Sequence, residues 1–402
     1  MSASAGESAR LERWRRAGFN VRNLDPADVE LDLASDVPHA TLREAEVHGE
    51  PLREPDLDEL AASLYGPARW VFTSQGRSAE LALASALKSR LGGKSFRVVT
   101  HGLFRTTERA LRRQGAELEL APTSPAGRCH LELDWLVQRL GRGDVVAVYL
   151  EPSNNGLGGW PLDPEHVVRI SDLCHRTECL LLLDATRLLG NGAALGAPVV
   201  EAAQRIAQAA DAFTVSCGKE LLVPAGGLVA VRDLDLQRKA YESCFTNGSL
   251  LQPLHARLEL ARGLGYVREH PQIFAHRRAQ LEELAGALRD RGVPLVEPAG
   301  AHAVYVIVDA LVQQEDECRA QALEGLLFVI GSVRVKISHF PLLGKHLLRL
   351  TWPVTLHPDL PTRAIAEHVR RLFERAPREA LRLAEDASHP AVHKHQVRYI
   401  PV

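Results

Sequence analysis

From about residue 60 the chain alternates strand-like and helix-like segments, and this alternation limits its fold more than any other feature. LDELAASLYG reads as a helix, ARWVFT as a strand, and RSAELALASALKSRLG as a helix with apolar residues at helical spacing. FRVVT, AELELA, DVVAVYLE, CLLLLDAT, AFTVSC and GGLVAVRD follow as strands. Between them TTERALRRQG, HLELDWLVQRLG, PEHVVRISDLCHRTE and VVEAAQRIAQAA read as helices. Strands separated by helices of this length predict a mostly parallel sheet covered on both faces. The unbroken apolar run LLLLDA suits a central strand of such a sheet, where neither face meets water.

Beyond Pro253 the pattern changes. PLHARLELARGLGYVREH and PQIFAHRRAQLEELAGALRDRG form a long helical bridge, followed by strands AVYVIVDA, RVKIS and LLRLTWPV and a closing helix LPTRAIAEHVRRLFERA. With 402 residues the chain exceeds one ordinary core. The expected division is an N-terminal segment (1–50) packing on a smaller domain or a partner subunit, a large domain (51–255), and a bridging helix with a small α+β domain (256–402). A formal net charge of -2 gives no reason to expect a nucleic-acid or membrane-surface binder. The run Arg10, Arg13, Arg15 and Arg16 reads as a solvated helix face. No apolar window is long enough for a membrane span, and MSASAGESARLERW lacks the apolar core of a signal peptide. The six cysteines show no metal-type spacing, Cys174 and Cys179 having no second pair to complete a zinc site; no metal is expected. Reduced thiols and a cytoplasmic location follow.

Ligands of open α/β sheets sit at the carboxyl ends of strands, and four such ends carry polar residues. Gln75, Gly76 and Arg77 follow WVFT where a helix begins; Asn155 lies in the turn EPSNNGLGGWP; Asp184 ends LLLLD; Lys219 follows AFTVSCG. Taken singly, each has a plainer use: a cap, a turn, a solvated charge. Taken together they suit pyridoxal 5′-phosphate (PLP). A lysine amine condenses with an aldehyde. A carboxylate keeps a pyridine nitrogen protonated, so that the ring accepts carbanion electrons. Amides at a helix N-terminus suit a phosphate, with the Ser216 hydroxyl as a further donor.

The stretches TSQGRSAE, NNGLGGWPLD, LLLLDATR, ADAFTVSCGKELLVPAGGLVAVRD and LLRLTWP resemble the β-eliminating lyases, the family of tryptophanase and tyrosine phenol-lyase, in register from about Gly18 to the C-terminus. The resemblance implies the aspartate-aminotransferase-like fold (fold type I), PLP as cofactor, and a homodimer or homotetramer. It assigns Lys219 to the Schiff base and to moving the α-proton, and Asp184 to the pyridine nitrogen. Arg187 and Asn155 fall near the ring's phenolic oxygen. Gln75, Gly76, Arg77 and Ser216 match the phosphate cup, and Phe104 the ring stacked on the cofactor. Arg349 matches the grip on the substrate carboxylate, a planar task suited to guanidinium. His395 aligns with a histidine near the family's active site.

The departures concern substrate recognition. HGEPLREPDLDEL contains no tyrosine where the family supplies one to the neighbouring site. Arg105 follows Phe104 where the family has an acidic or hydroxyl residue; Val37 replaces a serine, and Gly218 a lysine. The expected function is therefore PLP-dependent β- or γ-elimination or replacement on an amino acid or related amine other than tryptophan or tyrosine, in specialised biosynthesis. Aldol cleavage or transamination on the same fold is the alternative, since Lys219, Asp184 and Arg349 serve steps common to all. Remoter alternatives are a non-catalytic relative and a dinucleotide-binding oxidoreductase, the latter resting on GNGAALG (190–196), a glycine loop one residue too long.

Overall fold

The computed structural model describes residues 5–17, 21, 24, 29, 31–32, 56–123, 128–312, 317–340, 345–354 and 362–385. Its strands, in chain order, are β1 (Leu31–Asp32), β2 (Arg69–Thr73), β3 (Phe96–Thr100), β4 (Ala116–Leu120), β5 (Val145–Leu150) and β6 (Leu180–Asp184). They continue with β7 (Ala212–Ser216), β8 (Gly227–Val231), β9 (Ala303–Ile307), β10 (Val333–Arg334), β11 (Lys336–Phe340) and β12 (Lys345–Thr351).

The large sheet has the order β2-β8-β7-β6-β5-β3-β4. Strand β8 runs antiparallel to both its neighbours, and the β7-β6-β5-β3-β4 pairings are parallel. Burial explains why its central strands read as continuous apolar runs. In β6, Leu181 and Leu183 belong to one hydrophobic cluster while Leu182 belongs to another on the opposite face. Strand β5 divides likewise, Val148 and Leu150 to one side, Ala147 and Tyr149 to the other. Alternating Cβ directions send successive residues to opposite faces, so a sheet covered twice has no polar face to write into the sequence. Each fully buried leucine contributes about 1.5–3 kcal/mol.

A second sheet, β11-β12-β9, is antiparallel. Its hydrophobic cluster draws on the helix Gln272–Arg289 through Leu281, Leu284 and Leu288, and on the helix Thr362–Glu385 through Val369 and Phe373. The helix Ala5–Arg16 packs on the helix Glu317–Gly331, with Trp14 laid so closely on Gly325 that a Cβ there would collide with the indole. Arg15 and Arg16 are solvated as expected, but Arg10 Nε donates to the Val329 carbonyl at 2.7 Å. Strand β1 pairs in parallel with β10.

Two readings need correction. GNGAALG is not a dinucleotide loop: residues from Leu188 to Ala194 form a helix. The glycine at 190 serves close packing, since a Cβ there would lie 2.6 Å from Glu220 Oε1 and within contact of Arg277 Nη2. In AVYVIVDA the strand stops at Ile307 and Val308 opens a short helix.

Candidate active site

Asp184, the last residue of β6, is 4% exposed. Its Oδ2 accepts from Thr107 Oγ1 at 3.3 Å and its Oδ1 from the Thr186 amide at 3.2 Å. In the neighbouring strand β7, Thr214 stands opposite Asp184, and the Ser216 amide donates to Thr186 Oγ1 at 3.0 Å. Lys219 follows on the short helix Cys217–Glu220. Asp184 and Lys219 therefore leave the same end of two adjacent parallel strands. Arg187, one turn beyond Asp184, is buried.

The next residue after Lys219 anchors its segment. Glu220 meets Arg277, of the helix Gln272–Arg289, and accepts the Leu189 and Gly190 amides. Burial pushes the Glu220 carboxyl above its ordinary range, and Arg277 pulls it back.

Gln75, Gly76 and Ser216 come together beside this segment. Gln75 caps the helix Gly76–Arg90 without a side-chain capping bond, and it bridges to Gly226. A Cβ on Gly76 would lie 2.5 Å from Ser216 Cβ and 2.6 Å from its Oγ. Only glycine lets the helix start approach Ser216 this closely. The first N–H groups of a helix lack intrahelical acceptors, so this approach gathers backbone donors and a hydroxyl at the positive end of a helix. That donor set fits a dianionic phosphate. Arg77 is exposed at the same helix start.

Phe104 is half-buried and caps the helix Arg105–Arg113, the helix whose Thr107 reaches Asp184. Arg105 is exposed. On the other flank Asn155 is a hub. Its Oδ1 accepts from Arg349 Nη1 at 2.6 Å and lies 3.1 Å from His302 Nε2 and 3.4 Å from the Tyr305 hydroxyl. Its Nδ2 donates to Glu151 Oε1 at 2.9 Å. Arg349 sits on β12 directly across from Tyr305 on β9. The three-stranded sheet thus brings Arg349, His302 and Tyr305 against the strand ends of the large sheet.

Four of the groups gathered here escape a reading of the sequence. Glu80 is buried within a helix, and Thr106 Oγ1 donates to its Oε1 at 2.9 Å. Burial, then the charge of Asp184, pushes its carboxyl up to about 8. Glu151, just past β5, is pushed up to about 7 by the same two causes in the same order. The acidic residue ending YLE was the signal available for Glu151; nothing in AHAVYV marks His302 or Tyr305. His395 and Val37 lie outside the described residues, as does most of HGEPLREPDLDEL. Among the described residues no His, Cys, Asp or Glu group has a metal-binding arrangement, and no helix is long and apolar enough to cross a membrane.

The profile of the family described as beta-eliminating lyase matches residues 38–398. The tyrosine phenol-lyase of Symbiobacterium thermophilum is 26% identical over 91% of this chain and 89% of its own length. That of Intrasporangium calvum is 29% identical over 60% of this chain, and the match spans 56% of the relative. Among solved structures, a putative L-allo-threonine aldolase from Listeria monocytogenes superposes with a TM-score of 0.64 at 18% identity, over 92% of this chain and all of that one. The architecture is that of fold type I PLP enzymes. The chain belongs to the β-eliminating lyase family, as a divergent member and a PLP-dependent lyase.

Proposed function

We propose that this enzyme eliminates or replaces a group at the β- or γ-carbon of an amino acid other than tryptophan or tyrosine. The observation that carries the reading is the convergence at one sheet edge. Lys219 and Asp184 leave adjacent strands, the Gly76–Ser216 approach lies beside them, and Arg349 reaches the same edge through Asn155.

PLP bound there supplies an aldehyde for a substrate amine and a ring that takes up electrons from the α-carbon. The chain's own residues do the rest. The Gly76 and Arg77 amides and Ser216 Oγ would hold the phosphate. Asp184 would hold the proton of the ring nitrogen. The guanidinium of Arg349 takes the substrate carboxylate as a bidentate partner. Lys219 Nζ would hold the cofactor and would carry the α-proton. Exposed Arg105, beside Phe104, supplies a cation for an anionic or hydrogen-bond-accepting side chain, in keeping with a substrate unlike indole or phenol. Self-association as a homodimer or homotetramer completes the reading.

A panel of amino acids incubated with the holoenzyme tests it. Ammonia with a keto acid, or a replaced side chain, is expected from at least one amino acid other than tryptophan and tyrosine. An aldehyde with glycine, or accumulation of the pyridoxamine form, would instead establish aldol cleavage or transamination.

A further inference from the structure

The cofactor-facing and substrate-facing sides of this site are joined by one carboxyl that the roles above leave unused. Leu150 of β5 stands opposite Leu183 of β6, so the next residues along, Glu151 and Asp184, are neighbours at the strand ends. Glu151 Oε1 accepts from Asn155 Nδ2 at 2.9 Å and from the Asn155 amide at 3.3 Å. Asn155 Oδ1 in turn accepts from Arg349 Nη1 at 2.6 Å. From Glu151 the hydrogen bonds reach Arg349 through Asn155 alone. Glu151 is 3% exposed, and its Oε2 has no hydrogen-bond partner among the described residues.

We infer that Glu151 is a positioning residue: its carboxylate fixes the Asn155 carboxamide with Oδ1 on Arg349, and its charge weakens the hold of Arg349 on a carboxylate ligand. An ionised Glu151 needs donors, and Asn155 supplies two. That fixes Oδ1 toward the guanidinium, where an arriving carboxylate must displace it. The extra negative charge opposes the arriving anion as well. A protonated Glu151 relaxes both effects. The groups facing it are Asp184 at the end of β6 and Arg187 beyond it, Glu80 on the helix Gly76–Arg90, Tyr149 on its own strand, Cys129, and His101, whose Nε2 accepts the Glu151 amide at 2.9 Å. Burial and Asp184 bring its ionisation to about 7, inside the working range of an enzyme.

This inference rests on the assignment of Arg349 to the substrate carboxylate, and the test separates the two. Propionate, an amine-free carboxylate, is titrated into the holoenzyme by calorimetry in a pH series that spans the ionisation of Glu151. In the native protein its affinity is expected to fall by about 3- to 10-fold as pH rises through that ionisation. The fall disappears in Glu151→Gln, which keeps the acceptor but not the charge. It shrinks in Asn155→Ala, which cuts the hydrogen-bonded link and leaves only the Glu151 charge, so the inference stays testable if one variant fails to fold. Glu80→Gln keeps the fall. A fall undiminished in both Glu151→Gln and Asn155→Ala, or none in the native protein, overturns the inference. Propionate binding undiminished in Arg349→Ala overturns the carboxylate assignment instead.

Discussion

Arg277 and Glu220 form an ion pair at 2.6 Å with both side chains 1% exposed, and Glu220 is the residue after Lys219. The pair joins the long helix Gln272–Arg289 to the segment that presents the proposed Schiff-base lysine. Its net contribution to stability is small, because two desolvated charges cost nearly what their attraction returns. Its value lies in position, since Glu220 also receives the start of the helix Leu188–Ala194.

Arg277→Met strands the Glu220 carboxylate in the core. A loss of about 3–5 kcal/mol is expected, read by urea denaturation at neutral pH. Glu220 already ionises above its ordinary range, and without Arg277 it rises further. A carboxyl raised in the folded state contributes stability at low pH that is lost as pH rises, so the deficit of the variant shrinks on acidification. An equal deficit at all pH values would contradict this account.

Gly76→Ala places a methyl 2.5 Å from Ser216 Cβ and 2.8 Å from Ser216 Cα. The Cα is backbone and cannot swing aside, so the helix start and Ser216 move apart. The fold is expected to survive with about 1–3 kcal/mol lost to overpacking, while PLP affinity falls by at least about tenfold. Equilibrium dialysis with PLP checks this; unchanged affinity would remove Ser216 and the helix start from the phosphate site.

Buried carboxyls at 80 and 151 give the PLP-free protein a distinctive pH profile. Both ionise above the model-peptide range, Glu80 at about 8 and Glu151 at about 7. The folded state therefore binds more protons than the unfolded chain between about pH 4 and pH 8. Stability is fully present below the unfolded pKa and declines as pH rises through 7 and 8. Glu80→Gln should flatten the upper part of that decline in urea titrations; a slope identical to the native protein's would show that Glu80 is ionised throughout.

The residues legible in the sequence were those whose position follows from strand order alone. Asp184 closes an apolar run, Lys219 follows the next strand, and Gln75–Gly76 sits at a strand-to-helix junction, so each falls at a carboxyl end of the sheet. His302, Tyr305 and Arg277 were not legible as neighbours of that edge. They reach it through the packing of the antiparallel sheet and the bridging helix, and contacts across 57 to 150 residues leave no periodic trace. Strand β9 is also buried almost throughout, so its pattern assigns no face to Tyr305. Glu80 was hidden for another reason. It occupies an ordinary helical position, and only the threonines of the helix Arg105–Arg113 and the nearby Asp184 make it a site residue.

The central claim is that Lys219 carries PLP beside Asp184. The visible absorbance spectrum of the purified protein, before and after borohydride, tests it most directly. The native protein should show a Schiff-base band that borohydride removes while leaving the cofactor covalently attached, with the modified peptide containing Lys219. Lys219→Ala should bind PLP without that attachment. A featureless spectrum after PLP is added, or a borohydride-fixed cofactor on a different lysine, would contradict the account.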